Sequence, residues 1–158
     1  VQVRALAGTP GRLVALLARG DDAAWRRRDT ATGTSPLERL VALAEAELLF
    51  AAAIRLVLAE EEAVLPRWQA AALVRRSGAP GWGATDAIER FRARRADDVE
   101  LLASCSAAEL GRQGRHPERG LVSIADLVAL ALAADIETVG AIRNALDAGP
   151  PGSQGGTP

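Results

Sequence analysis

Few side chains in this sequence are capable of acid, base or nucleophilic chemistry. His116 is the only histidine among 158 residues, and an imidazole titrates near neutral pH, so it is a candidate general base or ligand-binding group. Its place before Pro117 also suits a hydrogen bond that orders a loop, and this structural role is favoured. Cys105 is the only thiol and becomes a nucleophile if its pKa is lowered. Because no pair of basic residues adjoins it in sequence, an inert, partly buried thiol is favoured.

Arg95 and Glu47 are candidates for substrate binding and proton transfer. Arg95 flanks the apolar stripe of a predicted helix, where its guanidinium suits an anionic substrate. The alternative is an ion pair with Glu47 or Asp98. Glu45 and Glu47 stand two positions apart on one predicted helix and cannot share a face, so at most one of them enters a pocket.

Composition excludes several classes of function. Lysine and tyrosine are absent, which excludes Schiff-base lysine chemistry and a catalytic tyrosine. The 19 basic and 20 acidic residues are interspersed, and aromatic residues make up 3% of the chain, so no nucleic-acid partner is predicted. Charged residues interrupt every apolar stretch, and a single cysteine cannot form an internal disulfide. We therefore expect a cytoplasmic protein that does not enter a membrane.

The periodicity of apolar residues predicts four amphipathic helices and an all-α fold. The first begins at Thr9-Pro10, and the third begins near Thr85 or Asp86. Capping boxes open the second helix at Ser35, running to about Glu60, and the fourth at Ser123. The fourth carries the stripe Ile124, Leu127, Val128, Ala131, Ala134, Thr138, Ile142 and Leu146.

The segments between these helices are predicted to be irregular. Residues 61–83 form a long connection with a possible short helix over 68–76, and residues 111–120 form a loop. The run Arg26-Arg27-Arg28 is read as a solvated helix end, with an anion site as the alternative. Trp25, Trp68 and Trp82 either pack at helix ends or wall a ligand pocket. We predict one four-helix bundle over residues 1–148 and a disordered tail over 149–158.

Several segments resemble the DinB-like four-helix bundles. Residues 38–47, ERLVALAEAE, are similar to the family helix that reads Glu, apolar, apolar, X, His, Leu, X, Asp, X, Glu. Residues 87–95 resemble the third family helix, in which Arg follows Phe by four positions. Residues 134–138, ADIET, stand where the family carries His-Asp-X-X-His. The resemblance runs from about Thr9 to Leu146 and includes proteins that act with mycothiol or bacillithiol.

The resemblance implies a divalent metal held by three histidines at one end of the bundle, and this chain lacks all three. Ala42, Ala134 and Thr138 occupy the ligand positions. Two alanines offer no donor atom, and a threonine hydroxyl is a poor substitute for imidazole. Asp135 and Glu137 lie nearby in sequence, but one step along a helix turns a side chain by roughly 100°. We therefore predict no metal at this position.

Three hypotheses for function follow. The first is a metal-free binding protein or degenerate enzyme that holds a small, largely apolar molecule in a pocket lined by Ala42, Glu45, Ala131, Ala134 and Thr138. The second is an enzyme, such as a transferase or isomerase dependent on a low-molecular-weight thiol, with His116, Arg95 or Glu47 as the polar group. The third is a structural module in which the leucine-rich first helix forms a homodimer or docks a partner.

Overall fold

The computed structural model describes residues 2–76 and 81–149, and within them it contains eight helices and one two-stranded sheet. The helices are α1 (Gln2–Ala7), α2 (Thr9–Leu17), α3 (Asp22–Arg26), α4 (Pro36–Ala59), α5 (Ala70–Arg76), α6 (Ala84–Ser104), α7 (Ala107–Leu110) and α8 (Ile124–Asp147). The strands are β1 (Gln113–His116) and β2 (Gly120–Ser123). The all-α, four-helix prediction is confirmed, whereas the predicted tail lies almost entirely outside the described residues.

Short-range hydrogen bonds fix the starts of the long helices α4 and α8. The Ser35 hydroxyl accepts the Glu38 N–H at 3.1 Å, and the Glu38 carboxylate accepts the Ser35 N–H at 2.8 Å. Ser123 and Asp126 repeat this arrangement at the start of α8. Each capping box satisfies two backbone donors that would otherwise lack a partner. The helix starts predicted from these motifs are therefore confirmed.

In the bundle, α4 and α6 run parallel to each other, and α8 runs antiparallel to both. Arg94 and Asp98 of α6 pair with Glu45 and Arg55 of α4, so residue numbers rise in the same direction along these two helices. The start of α8 packs with the end of α4, and the end of α8 packs with its start. Two parallel neighbours cannot be joined by a tight turn, so the chain between α4 and α6 must cross the length of the bundle.

Two apolar clusters fill the two ends of the bundle. The first surrounds the start of α4 and includes Leu13, Leu16, Trp25, Leu40, Phe91 and Ile142. The second surrounds the end of α4 and includes Leu6, Ile54, Val57, Leu65, Leu102 and Ile124. Fully burying a side chain of this size stabilises the fold by about 1.5–3 kcal/mol. Leu13 and Leu16 of the first predicted helix lie in this core, and the homodimer stays a prediction.

The loop prediction for residues 111–120 was wrong, because β1 and β2 form an antiparallel hairpin there. Gln113 pairs with Ser123 and His116 with Gly120. Residue 120 has φ +75°, a conformation that glycine adopts without steric cost. On the other edge of β1, the Arg115 N–H donates to the Ala63 carbonyl at 2.8 Å, and the Arg115 carbonyl accepts the Leu65 N–H at 2.9 Å. The hairpin thus fixes the long connection against the bundle.

The short helix α1 was also missed, since the first helix was predicted to begin at Thr9. Leu6 of α1 is fully buried in the second cluster and extends the bundle toward the hairpin end. Within residues 2–76 and 81–149, no helix is both long and apolar enough to cross a membrane.

Candidate functional site

A buried ion network lies between the two apolar clusters and takes one side chain from each of the helices α2, α4, α6 and α8. Arg95 of α6 contacts Glu47 of α4 through two hydrogen bonds, one of them Nη2 to Oε2 at 2.7 Å. Arg95 also donates to both oxygens of Asp135 of α8, at 2.6 and 3.1 Å. The Thr9 hydroxyl of α2 donates to Asp135 Oδ2 at 2.7 Å. These four side chains are at most 2% exposed and form what we call the ion network.

Every N–H group of Arg95 has a partner inside the protein. Its fifth hydrogen bond goes to the Leu6 carbonyl at 3.4 Å, and a guanidinium carries five N–H donors. The guanidinium also lies over the Phe91 ring, 4.7 Å from its centroid. The structure shows the ion pair between Arg95 and Glu47 that the sequence analysis gave as an alternative to substrate binding. Asp98, the other partner considered, pairs with Arg55 instead. An anionic substrate would have to displace a carboxylate to reach Arg95.

The charges of the ion network do not balance when both carboxylates are ionised. Burial raises the pKa of Glu47 above its ordinary 4.5, and this outweighs the lowering caused by the hydrogen bonds from Arg95. Burial alone would lower the pKa of Arg95, but the hydrogen bonds that it donates to Glu47 and Asp135 raise it above its ordinary value. Arg95 is therefore a permanent cation, and Glu47 is the group inclined to hold a proton.

A small cavity of about 80 Å³ opens between α4 and α8 against the ion network. Its polar end is formed by Glu47, Arg95 and Asp135. Its other walls are apolar and come from α4, α8 and the long connection; they are Leu43, Ala46, Phe50, Trp68, Leu130, Ala131 and Ala134. This arrangement suits a small apolar group that carries a polar atom at one end.

The residues at the family's ligand positions border this cavity only in part. Ala134 lines it and is exposed, whereas Ala42 and Thr138, both partly buried, do not line it. Because α4 and α8 are antiparallel, Ala42 lies one turn before Ala46 and Thr138 lies one turn after Ala134. Both therefore lie on the side of the cavity nearer the start of α4. Ala134 is exposed because the neighbouring Asp135 turns to the core to meet Arg95.

The side chains at the three ligand positions do not fit a divalent metal. A structural or catalytic site needs at least three imidazole, thiolate or carboxylate donors, and these positions offer a single hydroxyl. The carboxylates that line the cavity, Glu47 and Asp135, already accept hydrogen bonds from one guanidinium. Among the described residues, no three His, Cys, Asp or Glu side chains are grouped so as to hold a metal ion.

His116 is placed in β1 rather than at the cavity. It is 2% exposed, and its Nδ1 accepts the Glu118 N–H at 3.1 Å, as a loop-ordering histidine would. Since Nδ1 is the acceptor, a neutral ring carries its proton on Nε2, which is buried and has no hydrogen-bond partner within the described residues. The ring meets Trp68 edge to face at 5.5 Å. His116 therefore supports a wall of the cavity through Trp68.

Two other candidate residues lie away from the cavity. Glu45 is buried but pairs with Arg94 at 3.4 Å, so Glu47 is the one of the two glutamates that lines the cavity. Cys105 follows the last turn of α6, and its Sγ donates to the Leu101 carbonyl at 3.4 Å. Burial and the nearby Glu109 raise the pKa of the Cys105 thiol, which makes it a weaker nucleophile at neutral pH.

Sequence reasoning missed Thr9 and Asp135 as members of the ion network. A signal for Asp135 was present, since it stands seven residues after Val128 and seven before Ile142, both buried on the core face of α8. That spacing places all three on one helix face. Thr9 gave no such signal, because Thr9-Pro10 was interpreted only as the start of the first helix.

Comparisons with known proteins agree with this architecture. Residues 5–135 match the sequence family described as the DinB superfamily. YfiT from Bacillus subtilis, described as a probable metal-dependent hydrolase with an unusual four-helix bundle topology, superposes with a TM-score of 0.85 at 13% sequence identity. The alignment covers 93% of this chain and 85% of that chain. No curated protein sequence matches this chain. Because the family match spans most of its length, this chain belongs to the DinB superfamily.

Proposed function

We propose that this protein binds a small, largely apolar molecule in the cavity between α4 and α8, without using a metal. The observation that carries the proposal is the position of the cavity, which Ala134 lines and which lies one helical turn from Ala42 and Thr138, the other two residues that replace the family's histidines. Its walls are apolar except at the ion network. YfiT is described as a probable metal-dependent hydrolase, and the donor set for such chemistry is missing from positions 42, 134 and 138 of this chain.

The size of the cavity limits what enters it. A volume of about 80 Å³ is smaller than the roughly 150 Å³ of an apolar cavity that holds benzene. We therefore expect a compact ligand, or one apolar end of a larger ligand, to enter beside the exposed Ala134. A carbonyl or hydroxyl at the inner end would meet the carboxylates of Glu47 and Asp135.

Filling the cavity mouth tests this proposal. Ala134→Leu places extra carbons at the cavity wall, whereas Ala133→Leu adds the same carbons at an exposed neighbouring position that does not line the cavity. We expect cyclohexanol and cyclohexanone to shift the Trp68 indole N–H resonance saturably in the wild type and in Ala133→Leu. Ala134→Leu should abolish the shift. Binding that is unchanged in Ala134→Leu would remove this cavity as the site.

A second candidate function is proton transfer in a reaction that depends on a low-molecular-weight thiol. The observation in its favour is Glu47, which lines the cavity and has a raised pKa, as is common for catalytic acids and bases. In this reading Glu47 takes the proton of a mycothiol or bacillithiol sulfhydryl, and the thiolate sulfur forms a C–S bond to the electrophile as a leaving group such as chloride departs. We expect turnover of mycothiol with an electrophile such as 1-chloro-2,4-dinitrobenzene, and at least a hundredfold loss in Glu47→Gln. No turnover above the uncatalysed rate would exclude this thiol reaction.

A further inference from the structure

A larger cleft, separate from the α4–α8 cavity, lies where α3, the start of α4 and α5 meet. Its volume is about 400 Å³, which is in the range of small-molecule sites. Leu37 and Val41, which are 5% and 3% exposed, form its apolar floor with Val74. Its rim carries three guanidinium groups, those of Arg26, Arg28 and Arg75.

The arginines at the rim differ in how they are held. Arg26 is fixed by Asp22 at 2.8 Å and by the Trp82 carbonyl at 3.3 Å. Arg28 pairs with Glu38 at 2.5 Å. Arg75 is exposed, and within residues 2–76 and 81–149 it forms no ion pair.

Charge complementarity indicates the kind of ligand that fits. Three guanidiniums and two carboxylates, Asp22 and Glu38, leave the cleft with one positive charge in excess. The floor between them is apolar, so a simple inorganic anion would use only the rim. A molecule with one carboxylate and an apolar body would satisfy both features.

We propose that this cleft binds an organic monoanion, with its carboxylate on Arg75 and its apolar body on Leu37 and Val41. Arg26 and Arg28 supply positive potential at the rim while keeping their own partners. Arg26 and Arg28 are exposed, as expected of a solvated helix end, whereas Arg27 is partly buried. The cleft adds a neighbour that the sequence does not place there.

Octanoate is the probe for this site, with octan-1-ol and octylammonium as matched ligands of similar length. We expect octanoate to bind saturably, to shift the methyl resonances of Leu37 and Val41, and to bind at least fivefold more tightly than either control ligand. Octan-1-ol binding as tightly as octanoate would overturn the charge recognition. An absence of saturable octanoate binding would overturn the site.

Two arginine variants test the location. Arg75→Gln should weaken octanoate binding about fivefold to tenfold, the effect of losing one partly exposed charge-assisted contact. Arg76→Gln removes the same charge at the next residue, which is exposed and does not line the cleft, and it should leave the affinity unchanged. Equal losses in both variants would mean a general charge effect and would overturn the proposal. Ala134→Leu should leave octanoate binding intact, and a loss there would move the site to the α4–α8 cavity.

Discussion

At the scale of single residues, the protein buries a titratable group against a permanent cation. Glu47 shares the Arg95 guanidinium with Asp135, and one positive charge cannot fully compensate two buried carboxylates. A proton on Glu47 relieves this imbalance. The same residue lines the cavity, so its protonation state also decides whether a ligand meets a donor or an acceptor there.

The raised pKa of Glu47 has a consequence for stability. Between the ordinary value of 4.5 and the raised value, the folded protein retains a proton that the unfolded chain has released. Rising pH through that range therefore lowers the free energy of unfolding, by at most about 1.4 kcal/mol per pH unit. Glu47→Gln cannot ionise, so the wild type should lose stability relative to this variant as pH rises above about 4.5. Urea unfolding of both proteins across this range measures the difference, and parallel pH profiles would contradict the expectation.

At the scale of elements, local motifs were readable and distant contacts were not. The capping boxes at Ser35 and Ser123 depend on residues three positions apart, so the sequence alone predicts the starts of α4 and α8. The hairpin depends on strands of four residues each and on pairing with residues 63 and 65, which no local pattern announces. The seven-residue spacing of Val128, Asp135 and Ile142 indicates the core face of α8, but no local pattern indicates that Asp135 pairs with Arg95, forty positions away.

The hairpin is held against the bundle at a position where only a glycine fits. A Cβ on Gly114 would lie 2.8 Å from Val57 and 2.9 Å from Leu65, both buried in the second cluster. We expect Gly114→Ala to lower the free energy of unfolding by about 1–3 kcal/mol, since the core must shift to admit a methyl group. Chemical denaturation measures this change.

Gly140 is the matched control for Gly114. It lies inside α8, and apart from the adjoining backbone of its own helix no atom comes within 4 Å of the position that a Cβ would take, so the same substitution meets open space. Gly140→Ala should raise the free energy of unfolding by about 0.5–1 kcal/mol, because alanine is the better helix former. A Gly114→Ala variant as stable as Gly140→Ala would show that the hairpin does not pack closely on α4.

At the scale of the whole molecule, the ion network joins the four helices α2, α4, α6 and α8 between the two apolar clusters. Apolar contacts within each cluster tolerate small slips between helices, whereas the five donors of Arg95 require Glu47, Asp135 and Leu6 at fixed positions. The likeness to YfiT, 13% identical, shows that this fold admits very different sequences. Here the network supplies a geometric constraint on the register of α4, α6 and α8.

Removing Arg95 alone should therefore damage the fold far more than removing all three charged groups of the ion network. Arg95→Met leaves the carboxylates of Glu47 and Asp135 buried without a cation, and we expect a loss of about 3–5 kcal/mol at pH 7. That loss should shrink at acidic pH, where Glu47 binds a proton. Arg95→Met combined with Glu47→Leu and Asp135→Leu replaces the charges with apolar groups, and it should recover most of the lost stability. Thermal unfolding measures the stability of both variants. A triple variant no more stable than Arg95→Met would mean that the ion network itself holds the bundle together, rather than the avoidance of unpaired charge.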